Sequence, residues 1–151
     1  MNDDFHPTHF ATHESVEHAF YEALERADVE AMMNCWADED DVVCIHPGGR
    51  KLTGHRAIRQ GWTEIFANGP VHARAVSVHV QQSMMMAIHS VVEQVQVMGD
   101  RGRTVVNVFA TNVYGKTPNG WRMVLHHASL VPDHALTESR SQDADQGSTL
   151  H

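Results

Sequence analysis

The stretch that most restricts the fold of this chain runs from residue 104 to 130 and reads TVVNVFATNVYGKTPNGWRMVLHHASL. An apolar segment of alternating pattern is followed by a polar turn and a second segment of the same kind, which is typical of two neighbouring strands. Asn119 and Gly120 in the turn tolerate the positive φ angles that a tight hairpin requires. The sequence therefore predicts a β-hairpin against which the rest of the chain packs.

The hydrophobic period changes from helical to alternating near residue 70. Upstream, apolar residues three and four positions apart predict a helix capped by Thr12, a second capped by Asp28, and a third over residues 55–67. A short apolar strand is predicted at 42–45, and period two predicts four more at 71–80, 84–98, 103–116 and 121–131. This order predicts an α+β fold, a conical barrel in which a curved, mostly antiparallel sheet wraps around three N-terminal helices.

The chain is predicted to form one domain with two tails. Residues 1–13 are expected to be a flexible N-terminal tail, and residues 14–132 carry the periodic segments of the domain. Residues 133–151 are rich in Ser, Asp, Gln and Thr and have no apolar period, which is typical of a disordered tail.

Charge and hydropathy exclude several classes of partner. The formal net charge of -8 argues against nucleic acid, since a phosphate-binding surface needs clustered Lys and Arg. No apolar run approaches the roughly 18 residues of a membrane span, so no membrane contact is expected. The first residues are acidic and polar rather than a secretory signal, and Cys35 and Cys44 are expected to be buried free thiols. These features predict a cytoplasmic protein.

Thirteen histidines raise the question of a metal site. However, the sequence contains no HExxH or HxH motif, and no carboxylate is spaced to complete a facial triad. Scattered surface histidine explains most of them better. We therefore expect neither a metal ion nor another cofactor.

Several short motifs, taken in order, resemble the SnoaL-like, ketosteroid-isomerase-like group of the nuclear transport factor 2 superfamily. The resemblance covers about residues 14–131 and implies a conical α+β barrel with a deep pocket, packed as a homodimer through its sheet. Members of this group include isomerases, polyketide cyclases, dehydratases and non-enzymatic binders, so the fold does not determine the function. The motifs are Ala27-Asp28, Trp36-Ala37-Asp38, residues 42–47, Gly54 with Ala57-Ile58, and residues 120–124 leading into residues 127–129.

The chain departs from the catalytic pattern of this group. Where steroid isomerases place a carboxylate base before a proline, this sequence has His46 before Pro47. The position of their helical tyrosine falls on Phe20, and Tyr21 is displaced by about 100° around the helix. The late strands also lack the aspartate that the cyclases use. The usual steroid-isomerase machinery is therefore not expected.

Histidines are the first candidates for chemistry. His46 can act as a general base or hydrogen-bond a ligand, although it can equally bond the backbone of its turn. His126 and His127 are adjacent in a strand and point to opposite faces, so one of them can line a pocket. His126 is favoured because small Ala128 on its face leaves room for a ligand. His127 would then serve the subunit interface or a backbone hydrogen bond.

His89 and Glu93 share a face of the middle strand. A tight hairpin at residues 99–102 would place His89 opposite Asn112, which would also line the pocket. Burial of Glu93 would raise its pKa and allow acid or base catalysis. On the outer face, the same carboxylate would form a dimer ion pair or meet water.

The predicted pocket wall also contains aromatic side chains at helical spacing, which are core residues more often than binding residues. These residues are Phe20, Trp36, Trp62 and Phe66. Together, these features predict a pocket for a small, largely apolar organic molecule. The candidate activity is that of a cofactor-independent isomerase, cyclase or dehydratase with histidine acid/base chemistry. The alternative is a non-catalytic ligand-binding or protein-interaction module, and the sequence leaves open whether the chain is an enzyme.

Overall fold

The computed structural model describes residues 8–132, and the predicted tail at 133–151 lies outside this range. Three helices precede most of the sheet. The elements, in chain order, are α1 (His13–Arg26), α2 (Val29–Asn34), β1 (Val43–Ile45), β2 (Lys51–Thr53), α3 (His55–Phe66), β3 (Ala73–Gln82), β4 (Met86–Gly99), β5 (Gly102–Thr117) and β6 (Gly120–Leu130).

The six strands form one curved sheet in the order β2-β1-β6-β5-β4-β3. All neighbours pair antiparallel except β1 and β6, which are parallel. The predicted hairpin is β5–β6, and Gly120 in its turn has a φ of 95°. The helices cover the concave face, and the two edge strands do not close the sheet. The predicted α+β class with a curved, cone-like, mostly antiparallel sheet is confirmed.

The strand register places four polar side chains in one row of the concave face. Gly99 pairs with Gly102 in a tight hairpin, so His89 lies opposite Asn112 as the sequence predicted. Asn112 in turn pairs with His126, and His126 with Cys44 of β1. Because side chains alternate between faces, all four point to the side that the helices cover.

Side-chain caps begin the first two helices at the predicted residues. Thr12 Oγ1 accepts a hydrogen bond from the Ser15 backbone N–H at 3.1 Å. Asp28 Oδ1 accepts from the Ala31 N–H at 3.0 Å. Such caps satisfy donors that the first helical turn leaves free, and they fix where α1 begins relative to the sheet.

Two parts of the fold differ from the prediction. β2 is absent from the predicted elements, since a three-residue strand is too short to show a period. Phe10, within the segment predicted to be flexible, is buried and bridges to Gly120. The ordered fold therefore begins before residue 14. None of the helices among residues 8–132 is both long and apolar enough to cross a membrane.

Candidate functional site

His46 lies at the end of β1, where the chain turns out of the sheet. Its ring packs edge-on against Trp62 of α3 with centroids 4.6 Å apart, and its Nε2 lies 3.6 Å from Cys44 Sγ. Partial burial lowers the pKa of His46, because the charged imidazolium loses hydration. His46 is therefore uncharged at neutral pH and able to accept or donate a hydrogen bond.

A cavity of about 500 Å³ opens beside His46, between β2 and α3. A Cβ atom at Gly61 would lie 2.5 Å from Leu52 Cδ1, so a larger residue there would displace the Leu52 side chain. We call this space the His46 cavity. Its wall consists of His46, Arg50, Leu52, Ala57, Gln60, Gly61, Glu64 and Ile65.

His126 lies behind His46, with ring centroids 6.5 Å apart. It is buried, and its Nδ1 is 2.6 Å from Asn112 Oδ1. Since Asn112 Nδ2 donates to Tyr21, Oδ1 is the acceptor and His126 Nδ1–H is the donor. Burial lowers the pKa of His126 to about 3. The imidazole is therefore neutral, with an unprotonated Nε2.

Glu93 stands at the far end of the same hydrogen-bond chain. Tyr21 Oη accepts from Asn112 Nδ2 at 3.4 Å and donates to Glu93 Oε2 at 2.5 Å. Burial raises the pKa of Glu93, and it also raises that of Tyr21, where the nearby carboxyl adds to the effect. The chain Glu93–Tyr21–Asn112–His126 thus spans three strands and α1 without reaching the wall of the His46 cavity.

His89 belongs to a separate buried cluster. Its Nδ1 is 2.5 Å from Glu17 Oε2, and its Nε2 is 2.7 Å from His13 Nδ1. Tyr114 donates to the same Glu17 oxygen at 3.2 Å, and His13 Nε2 contacts Gln82 at 2.7 Å. The hydrogen bonds of this cluster connect the N-terminal half of α1 to the sheet. The structure therefore does not bring His89 to His46.

The aromatic residues predicted to line the pocket pack mainly against one another. Phe20 and Trp62 have ring centroids 5.7 Å apart, and Trp62 and Phe66 5.5 Å apart. All three and Trp36 are buried in the main hydrophobic core. They lie between the helices and the sheet, because an apolar helix face packed onto a sheet buries its largest side chains. His127 is exposed on the opposite, convex face.

Sequence reasoning missed the polar face of α1. His13, Glu17 and Tyr21 recur at four-residue spacing, which places them on one side of the helix. The sequence signal that could have revealed this polar face is the row of polar residues beside the apolar stripe of α1.

Within residues 8–132, no group of three or more His, Cys, Asp or Glu side chains is placed to hold a metal ion. Cys35 and Cys44 are free and buried, as predicted, and burial raises the pKa of each thiol to about 12.

We expect His126 to remain neutral, with its proton on Nδ1, from about pH 8 down to about pH 5, well below the ordinary range of histidine. The reason is the burial that lowers its pKa to about 3. Long-range ¹H–¹⁵N NMR spectra distinguish the two ring nitrogens. Asn112→Ala, which removes the acceptor, should move the tautomer equilibrium towards Nε2–H. A doubly protonated His126 at about pH 6 would contradict the assignment.

The stability advantage of Glu93→Gln over the wild type should increase as the pH rises. The variant keeps an acceptor for Tyr21 but cannot ionise. Because the folded pKa of Glu93 is raised above 4.5, the wild type loses stability as pH rises from 4.5 through that raised pKa. Urea denaturation at several pH values measures the difference in unfolding free energy, variant minus wild type. Asp100→Asn at an exposed turn is the control, and a difference independent of pH would refute the assignment.

Comparison with known proteins places this geometry in a family. The model of the SnoaL-like domain matches residues 14–134. The chain is also 23% identical over 126 residues to the F-box protein SKIP8 of Arabidopsis thaliana. The chain spans about half of that relative, 48% of its length.

Solved structures with the same fold include proteins of several descriptions. A Thiobacillus denitrificans protein described as a calcium/calmodulin-dependent protein kinase type II association domain is 38% identical, with a TM-score of 0.74, covering 83% of this chain and 99% of that one. A Streptomyces avermitilis protein described as a dehydratase of the NTF2-like family is 31% identical, with a TM-score of 0.71, covering 79% and 94%.

The calcium/calmodulin-dependent kinase II hub of S. rosetta is 21% identical to this chain, with a TM-score of 0.63, and covers 78% of this chain and 93% of that one. At this identity the similarity concerns the fold alone. The family match extends over nearly all of the residues that the structure describes. The chain therefore belongs to the SnoaL-like domain family of the nuclear transport factor 2-like superfamily.

Proposed function

We propose that this chain binds a small, largely apolar organic molecule in the His46 cavity. The observation that carries the proposal is an uncharged imidazole in the wall of a cavity of about 500 Å³. Ligand pockets measure roughly 300–1,000 Å³ and combine apolar walls with a few polar groups. Leu52, Ala57 and Ile65 supply the apolar wall, and His46 supplies a polar group beside it.

His46 can move a proton without a cofactor. Cys44 Sγ approaches its Nε2, so Nδ1 remains for a ligand. A neutral imidazole removes a proton from a carbon next to a carbonyl and returns it to another atom, which is the core of isomerisation, cyclisation and dehydration. The dehydratase description of the Streptomyces avermitilis relative supports this class.

In this proposal, the buried residues His126 and Glu93 hold His46 in position without contacting the ligand. His126 packs beside Trp62, which also contacts His46, so it positions the Trp62–His46 pair rather than touching the ligand. Glu93 is linked to His126 through Tyr21 and Asn112. We therefore assign the proton-transfer role to His46 and a positioning role to Glu93.

Exchange of the α-protons of cyclohexanone in D₂O, followed by ¹H NMR, tests the proposal. The wild type should accelerate the exchange, and His46→Gln should lower the rate about 10²–10⁴-fold, the usual contribution of a general base. Because the pKa of His46 lies below 6.5, the rate should rise with pH up to that value and be level above it. His79→Gln, on an exposed strand position, is the matched control.

The same experiment separates the alternatives. Cyclohexanone that shifts the NMR signals of His46 and Trp62 without exchanging its protons would indicate a non-catalytic ligand-binding module. Neither binding nor exchange, with this ketone or with a panel of aromatic and alicyclic ketones, would rule out both forms of the proposal.

Self-association through the convex face of the sheet is a second proposed function. Three rows of residues on β4, β5 and β6 form a patch without a charged side chain, although the chain has 30 Asp, Glu, Lys and Arg residues, 19 acidic plus 11 basic. We call it the convex patch. Its rows are Ile88–Val113–Leu125, Ser90–Thr111–His127 and Val92–Phe109–Ser129.

An uncharged sheet face of this kind suits a second copy of the chain. Ile88 and Phe109 are 36% and 38% exposed, so two large apolar side chains meet water in the single chain. The hub description of the S. rosetta structure supports assembly as a use of this fold.

Phe109→Asp should convert a dimer of the wild-type chain into a monomer, because a charge buried at the interface would lose its hydration. Size-exclusion chromatography with light scattering measures the mass of the particle. Met84→Asp, at a position 87% exposed in the β3–β4 turn, is the matched control and should remain dimeric. A monomeric wild type would contradict the proposal.

A further inference from the structure

A second cavity, of about 410 Å³, lies between α2, α3 and the β5–β6 turn. We call it the α2 cavity. No residue of its wall belongs to the wall of the His46 cavity. The two spaces therefore can hold different ligands. Its wall includes Glu30, Trp36, Asp38, Glu39, Asn119 and Arg122.

Arg122 gives this cavity a buried positive charge. The residue is 6% exposed, and its guanidinium donates to the backbone carbonyls of Trp121 at 2.9 Å and Thr8 at 2.6 Å. It also lies over the ring of Phe10. None of the ion pairs among residues 8–132 includes Arg122. Since a guanidinium has five N–H donors, most of them remain for a ligand.

Trp36 adds a second donor without a partner. It is 2% exposed, forms part of the cavity wall, and has an indole Nε1 with no hydrogen-bond partner among the described residues. A buried donor left unpaired destabilises the empty state, by about 1–3 kcal/mol in general. Of these two groups, the guanidinium of Arg122 is the one that favours a negatively charged ligand, because a buried cation is stabilised by a counter-ion.

The rim limits how much negative charge the ligand can carry. Glu30 is already paired with Arg59, at 2.5 and 3.4 Å. Asp38 and Glu39 are exposed at the opening and would repel a multiply charged anion such as phosphate. A monoanion with an uncharged body is the class that fits both the interior and the rim.

We propose that the α2 cavity is a second ligand site, which takes a small monocarboxylate whose oxygens accept hydrogen bonds from Arg122. The carboxylate supplies the counter-ion that Arg122 lacks among the described residues. An Arg–carboxylate pair is commonly bidentate, which also fixes the orientation of the ligand.

Titration with benzoate tests this site, with benzamide as the uncharged ligand of the same shape. The readout is the indole N–H signal of Trp36 in ¹H–¹⁵N NMR spectra, assigned with Trp36→Phe. Benzoate should bind about tenfold or more tightly than benzamide, since hydrogen bonds to charged groups are the stronger kind. Inorganic phosphate should bind more weakly than benzoate.

Two variants separate ligand binding from folding. Arg122→Gln should abolish the preference for benzoate, and Arg56→Gln, an exposed change of equal charge on α3, should keep it. If Arg122→Gln does not fold, Asn119→Phe fills the cavity from the turn and leaves the hydrogen bonds of Arg122 intact. Asn119→Phe should then lose benzoate binding.

Three results would overturn the proposal. One is a Trp36 signal that does not respond to benzoate, and another is wild-type affinity in Asn119→Phe. The third concerns the double variant Asp3→Asn, Asp4→Asn, measured without benzoate. If its Trp36 signal is shifted from the wild-type position, the carboxylates of the chain itself are the occupant of the cavity. A benzoate shift confined to Trp62 would report the His46 cavity, so the two sites can fail independently.

Discussion

The hydrogen bonds that α1 makes from Glu17 and Tyr21 to the sheet determine where the helix lies on the concave face. Glu17 accepts from His89 and Tyr114, and Tyr21 donates to Glu93. Each group is buried or half-buried, so a sliding of α1 would leave several polar atoms unpaired at once. Apolar contacts alone would tolerate such a movement more easily, since they have no preferred direction.

This polar attachment divides the titratable groups by their access to solvent. Glu93 and His126 are held in hydrogen bonds beneath the helices, and burial favours the neutral form of both. His46 lies at the edge of the same layer and meets a cavity. The two proposed ligand sites therefore lie beside α3, whereas Glu93 and His126 lie beneath the helices.

Much of the architecture could be predicted from local pattern. The Thr12 and Asp28 caps, the β5–β6 hairpin and the pairing of His89 with Asn112 follow from turn chemistry and from the period of two along a strand. β2 escaped prediction because three residues carry no period. The buried role of Phe10 escaped it because a single bridge to Gly120 leaves no local signal.

The sequence by itself determined the order of the helices and of every strand except β2, the residues that share one face of a strand, and the family. Those properties depend on spacing along the chain, which the sequence displays directly. Tertiary structure decided which polar groups meet: His89 joins His13 and Glu17, whereas His126 joins Asn112. It also decided that the aromatic residues pack into the hydrophobic core and that the cavities open beside α3. Such contacts depend on how far α1 and α3 reach across a curved sheet, a distance that no local pattern records.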